Sequence, residues 1–266
     1  MQLRKLVVWT LVFALAFVAA CGDAEKKKLK FYNTGVSLYE KEDYVNARLE
    51  FKNAIQLDPK YADAYYMLGM TALKQQEFKQ AFGGFSKALQ LDDSHLQAHI
   101  EIARLLLAGK AVDKAREHLA AANAIEAENP DVKMLQAAVA LAEGNPGEAE
   151  RIINELIDAG SRDPELYIMR ASIFHRRQMP EKTEQAFLDG IAANPESVAL
   201  RMALVRFYAG TRQFPKAEST LRSLVEMEPD KEAWRLMLAN LYWETQRQSE
   251  AFQELAALLE MKSGSE

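Results

Sequence analysis

Residues Ala62–His95 read ADAYYMLGMTALKQQEFKQAFGGFSKALQLDDSH. Within them, Ala62–Lys74 and Phe78–Leu91 each carry apolar residues at three-to-four spacing. That spacing predicts two amphipathic helices joined by a short polar turn, because one helix face recurs every 3.6 residues. Ala81 in the second helix also belongs to a longer pattern. Ala47, Ala81, Ala115, Ala149, Thr183, Ala217 and Ala251 follow one another every 34 positions, with no insertion or deletion. A period of this size marks stacked helix-turn-helix units. Such stacks present binding surfaces more often than they perform chemistry.

With Lys28 as position one, the repeats start at Lys28, Ala62, Leu96, Pro130, Pro164, Val198 and Glu232, and the seventh ends at Ser265. Position eight is Gly35, Gly69, Ala103, Ala137, Ala171, Val205 and Ala239. Position 24 is Phe51, Phe85, Leu119, Ile153, Phe187, Leu221 and Leu255. Small residues at positions eight and 20 let two helices approach, and the large residue at position 24 fills the space beside them. All eight prolines sit at turns or helix starts, where the first helical turn has unpaired N–H groups in any case. No run alternates with period two for long enough to predict a sheet.

These residues closely resemble the tetratricopeptide repeat family. The best matches are Gly35, Ala47, Phe51, Ala54 and Pro59 in the first repeat, and Tyr65, Leu68, Gly69, Ala81, Phe85 and Ala88 in the second. Repeats three, four and seven are more degenerate. The resemblance implies an all-α fold, a right-handed α-solenoid of about seven helix-turn-helix repeats over residues 28–265. It also implies a concave groove lined by the first helix of each repeat.

Residues 1–20 are different in kind. Arg4 and Lys5 precede a short apolar stretch, Leu6–Phe17, that is brief for a membrane span and suits a secretory signal peptide. Val18-Ala19-Ala20-Cys21 looks like a bacterial lipobox, which implies cleavage before Cys21 and lipid on its sulfur. One acyl chain holds a protein only marginally, whereas two or more hold it firmly. Residues 21–27 then form a lipidated tether, and Lys26, Lys27 and Lys28 are placed to meet anionic headgroups. Gly22 after the cysteine, by resemblance to Gram-negative sorting habits, implies the outer membrane, facing the periplasm. The sequence style resembles repeat lipoproteins found beside exosortase and exopolysaccharide systems. Pilus-assembly and outer-membrane-assembly lipoproteins, and adaptors of cell-wall enzymes, share this architecture.

Cys21 is the only cysteine, so no disulfide framework is expected. Without residues 1–20 the chain holds 31 basic against 38 acidic side chains. This acidic balance argues against nucleic acid as a partner, where a basic stripe is expected.

In the resembled fold, positions two, five, six, nine, 12 and 13 face the groove. They map here to Tyr32, Tyr66, Met67, Met70, Ile100, Met134, Leu135, Ile168, Met169, Met202, Leu236 and Met237, with Arg104, His175, Arg176 and Arg206 among them. Six of the ten methionines share positions five, six or nine, and methionine suits adaptable apolar recognition. The expected ligand is a protein or peptide segment with apolar anchors and some negative charge, which the arginines would pair. At positions five and six, packing between adjacent helices is the competing use. The clamp that holds chaperone C-termini is excluded, because its positions are Tyr32, Val36, Met67, Gln97 and Glu101.

His95 and His99 stand four apart, but no third metal donor lies nearby, and no phosphate loop, nucleophile elbow or zincin motif occurs. No cofactor, metal or catalytic residue is expected. The last helix carries Phe252, Leu255, Leu258 and Leu259 with no polar cap after it, so that end is expected to fray, to dock on another subunit by self-association, or to continue into a longer chain.

Overall fold

A computed structural model describes residues 24–263. Residues 1–23, including the expected signal peptide and Cys21, lie outside the described residues. The described residues form fourteen helices and no strand. They are α1 (24–40), α2 (Tyr44–Leu57), α3 (Ala62–Lys74), α4 (Phe78–Leu91), α5 (Leu96–Ala108), α6 (Val112–Glu126) and α7 (Pro130–Ala142), followed by α8 (Pro146–Asp158), α9 (Pro164–Arg176), α10 (Pro180–Ala193), α11 (Val198–Gly210), α12 (Phe214–Met227), α13 (Glu232–Glu244) and α14 (Gln248–Ser263). Six of the seven repeat starts are the first residue of a helix. The chain divides into two compact units, one ending at Gly144 and one beginning at Asn145.

The seven small residues on the 34-residue spacing are all enclosed, none more than 1 % exposed. At Thr183 the hydroxyl donates to the Met179 carbonyl at 2.9 Å, so its burial leaves no polar atom unpaired. Position eight then sets how close the helices come. A Cβ at Gly35 or Gly69 would lie 2.7 Å from the ring of Phe51 or Phe85, so each phenylalanine occupies the room its glycine leaves. Gly84 is tighter still: a Cβ there would meet the Cα and N of Gly69 at 2.8 Å, backbone against backbone.

The turn inside each repeat has one recurrent device. Position 15 is left-handed in all seven repeats: Glu42, Gln76, Lys110, Gly144, Gln178, Arg212 and Gln246. In six of them the next N–H reaches back to the carbonyl five residues earlier, as from Glu77 to Ala72 at 2.9 Å. This Schellman closure satisfies carbonyls that the helix end would orphan. Only Gly144 adopts the conformation without Cβ strain.

Neighbouring repeats are fastened at position 21, within each unit. Arg48 bonds Gln75 and Glu77, and Arg116 meets Glu143 at 2.6 Å. In the second unit Glu150 meets Arg177, and Glu184 accepts from Tyr208 at 2.8 Å and Lys216 at 2.7 Å. Glu218 accepts from Tyr242 at 2.8 Å and from Arg247 at 2.5 Å. The Lys216 hydrogen bond holds the Glu184 carboxyl below its usual range. At Glu218 burial pushes the pKa up, but hydrogen bonds from Arg247, Tyr242 and Arg222 outweigh it and leave it lowered. Repeat two has Phe82 at this position instead, lining an apolar pocket with Leu105, Leu106 and Gly109.

One sequence expectation changes at the start of the described residues. The tether expected over residues 21–27 is helical from residue 24. Lys28 does not face outward: it is buried, bonds Glu25 at 2.8 Å and Asp58 at 3.0 Å, and lies 4.7 Å from the Tyr61 ring centre. Its charge is paired inside the fold, whereas Lys26 and Lys27 are exposed. At the other end Phe252 is 61 % and Leu259 70 % exposed, and the Trp243 and Phe252 rings meet edge to face at 6.1 Å.

Candidate functional site

The groove residues of the first unit are largely committed to packing. The Tyr32 ring sits 5.8 Å from Phe51 and 5.1 Å from Tyr61, and burial pushes its hydroxyl up to about 12. Tyr66 contacts Phe85 and His95, and burial raises its pKa as well. Both phenols therefore stay neutral at ordinary pH. Ile100 and Met134 are only 1 % and 5 % exposed. Met67 and Met70 are half-buried, with Met70 packed against the core around Phe85. Arg104, expected to meet a ligand's acid, is paired with the buried Glu101 at 3.2 Å.

The second unit differs. Met169 is enclosed, but Ile168, Met202 and Met237 are half-buried, and His175, Arg176 and Arg206 are exposed. Three of these, Ile168, His175 and Arg206, come together around a pocket of about 360 Å³ between α9, α10 and α11. Its apolar wall is Ile168, Ala171, Phe187 and Phe207, and Ser172, Thr183 and Thr211 supply the polar lining. Phe207 lies 6.0 Å from Phe187 and meets the His175 ring nearly perpendicular at 5.9 Å. The hydroxyls of Ser172, Thr183 and Thr211 donate to the carbonyls of Met169, Met179 and Phe207, so they present oxygen lone pairs rather than free donors. Arg206 forms no ion pair among the described residues, and neither does Arg176. His175 and Arg176 also occupy the last turn of α9, where the helix dipole favours positive charge.

Sequence reasoning placed Ile168, His175 and Arg206 on one face but missed Phe187, Phe207, Gly210 and the hydroxyls. The available signal was small side chains at groove positions: Ser172 at position nine and Gly210 at position 13 leave the opening. An uncharged slot of this size with basic groups at its rim can take an apolar side chain and pair an acid beside it. No group of three His, Cys, Asp or Glu donors that could hold a metal forms among the described residues.

Tetratricopeptide repeat sequence families match residues 72–139 and 178–241, and residues 35–76. No curated protein matches the chain in sequence. Among solved structures, the fold resembles yeast Tom70 at 18 % identity with a TM-score of 0.65, over 91 % of this chain and 54 % of that one. It resembles the Cut9–Hcn1 heterotetramer of the APC/C at 14 % identity and a TM-score of 0.64, over 82 % and 43 %. It also resembles Pseudomonas aeruginosa pilF at 16 % identity and a TM-score of 0.57, over 82 % and 99 %. The chain thus spans about half the length of Tom70 and less than half of the APC/C chain. Proteins of this repeat type are generally non-enzymatic scaffolds for protein–protein interaction. With matched profiles over most of its repeats and consecutive helix pairs packed in their register, the chain belongs to the tetratricopeptide repeat family.

Proposed function

We propose that this chain is a membrane-tethered scaffold of the bacterial envelope that captures a partner through a peptide segment. The observation that carries this reading is the α9–α11 pocket, whose apolar walls stand beside the unpaired Arg206. An aliphatic or aromatic side chain fills the pocket, and an aspartate or glutamate nearby pairs with Arg206, with His175 and Arg176 adding to the positive rim. Rim charges mainly set encounter rate and salt dependence, whereas the buried anchor supplies most of the affinity. A random peptide library displayed on phage tests this. Selected peptides should share one large apolar residue within a few positions of an acid. A selection without such a pattern counts against the reading.

The lipid anchor at Cys21, outer-membrane placement facing the periplasm and a role in envelope or exopolysaccharide and protein-export assembly rest on the sequence. Radiolabelled palmitate should enter the wild-type chain and not Cys21→Ala; equal labelling removes the anchor. The exposed Phe252, Leu255 and Leu259 of α14 are the proposed self-association surface. Light scattering should show a larger mass for wild type than for Leu259→Glu, and equal monomeric masses would dismiss it.

A further inference from the structure

His99 on α5 does not share a site with His95. The His95 Nδ1 accepts from the Ala98 N–H at 3.2 Å and caps α5, while its Nε2 faces Asp63 at 3.4 Å. His99 instead turns toward α6, where its Nδ1 lies 3.0 Å from the Nδ1 of His118. The other nitrogen of His99, Nε2, is 3.0 Å from the Asp93 carbonyl oxygen. A carbonyl only accepts, so Nε2 carries the proton and the His99 Nδ1 lone pair is aimed at His118. A ring N–H held by a backbone carbonyl is the arrangement that orients metal-ligating histidines, and here it leaves His99 Nδ1 facing only His118.

We propose that His99 and His118 form a two-imidazole site for a divalent transition-metal ion of the copper and nickel class. With metal–nitrogen bonds of about 2.0–2.1 Å, nitrogens 3.0 Å apart subtend an angle near 95°. A tetrahedral site would need roughly 3.4 Å at the same bond lengths. The near-right angle suits tetragonal nitrogen and oxygen coordination, with solvent in the remaining positions. Binding needs His118 to move its proton from Nδ1 to Nε2 and both rings to turn until their Nδ1 lone pairs converge beside the N–N line, so both imidazoles bind in neutral form. Both rings are partly exposed, which leaves an entry path.

The test is titration of the untagged full chain with Cu(II), followed by electron paramagnetic resonance and by NMR of the imidazole signals. One Cu(II) with nitrogen coordination is expected, broadening His99 and His118 while leaving His175 sharp. His99→Gln and His118→Gln should each weaken binding by more than the roughly 10–100-fold that loss of a second-shell partner costs, and His95→Gln should not. Equal binding in the His99 and His118 variants, or broadening confined to other residues, overturns the site. The NMR readout on wild type stands even if a variant melts early.

Discussion

Repeats two and five use the same ruler to opposite ends. In repeat two, Phe85 fills the room left by Gly69, and α3 and α4 touch through backbone at Gly84. In repeat five, Phe187 holds the same position, but Ala171 faces it and the small Ser172 and Gly210 leave a pocket on its open side. One phenylalanine is a plug and the other is a wall. The residue at position 24 is therefore not what makes a binding site. The small residues around it decide, and they do so by where they are small: at position eight they close the repeat, and at positions nine and 13 they open the groove.

The largest effects should separate plug from wall. Phe85→Ala should cost about 4 kcal/mol, within the range for a fully enclosed phenylalanine. Phe187→Ala should cost less, about 3 kcal/mol, because part of its surface already borders open volume. Urea midpoints at constant m-value measure both, and an equal or larger loss at Phe187 would break the comparison. Gly84→Ala comes next, at about 3 kcal/mol, since backbone cannot yield as a side chain does. Gly69→Ala meets the Phe85 ring at 2.7 Å and backbone only at 3.1 Å, at the Ala81 carbonyl, and should cost nearer 1–2 kcal/mol.

Smaller effects follow at the turns, where the two units behave alike. Gln178→Gly should stabilise by about 1 kcal/mol by removing the cost of a left-handed side chain, and Gly144→Ala should destabilise by a similar amount. Thermal melts read both signs directly. The smallest effect is on pH dependence in the first unit. Burial, and then His99, lower the His118 pKa from its ordinary 6.5, so the unfolded chain takes up a proton more readily than the folded one. Stability from this group is complete above pH 6.5 and declines as pH falls toward the folded value. His118→Gln should flatten the slope of stability between neutral pH and the onset of carboxylate titration, and an unchanged slope would discount the pair.

The repeat spacing was legible because burial of Ala81 and its equivalents depends only on helix period and chain length. The helix starts were legible for the same reason, with Pro130 and Pro164 marking two of them. The groove was legible in part. Whether position five or six is exposed depends on the side chains of the next helix, which is why Ile100, Met134 and Met169 are enclosed while Ile168 and Met202 are not. The fastening at position 21 escaped notice because its chemistry changes from Arg48 to Glu150 to Phe82, and only the place is constant. The left-handed residue at position 15 escaped because six of seven are not glycine. His99 and His118 are 19 residues apart, and no local spacing joins them.

The most direct test is the affinity of one selected peptide for the full chain and for three variants. Gly210→Leu should fill the pocket without loss of stability, since a Cβ there meets nothing within 4 Å. Its affinity should fall by more than tenfold, that of Arg206→Gln should fall and depend less on salt, and Met67→Gln in the first unit should bind like wild type. If Gly210→Leu binds as tightly as wild type while Met67→Gln does not, the pocket is not the site.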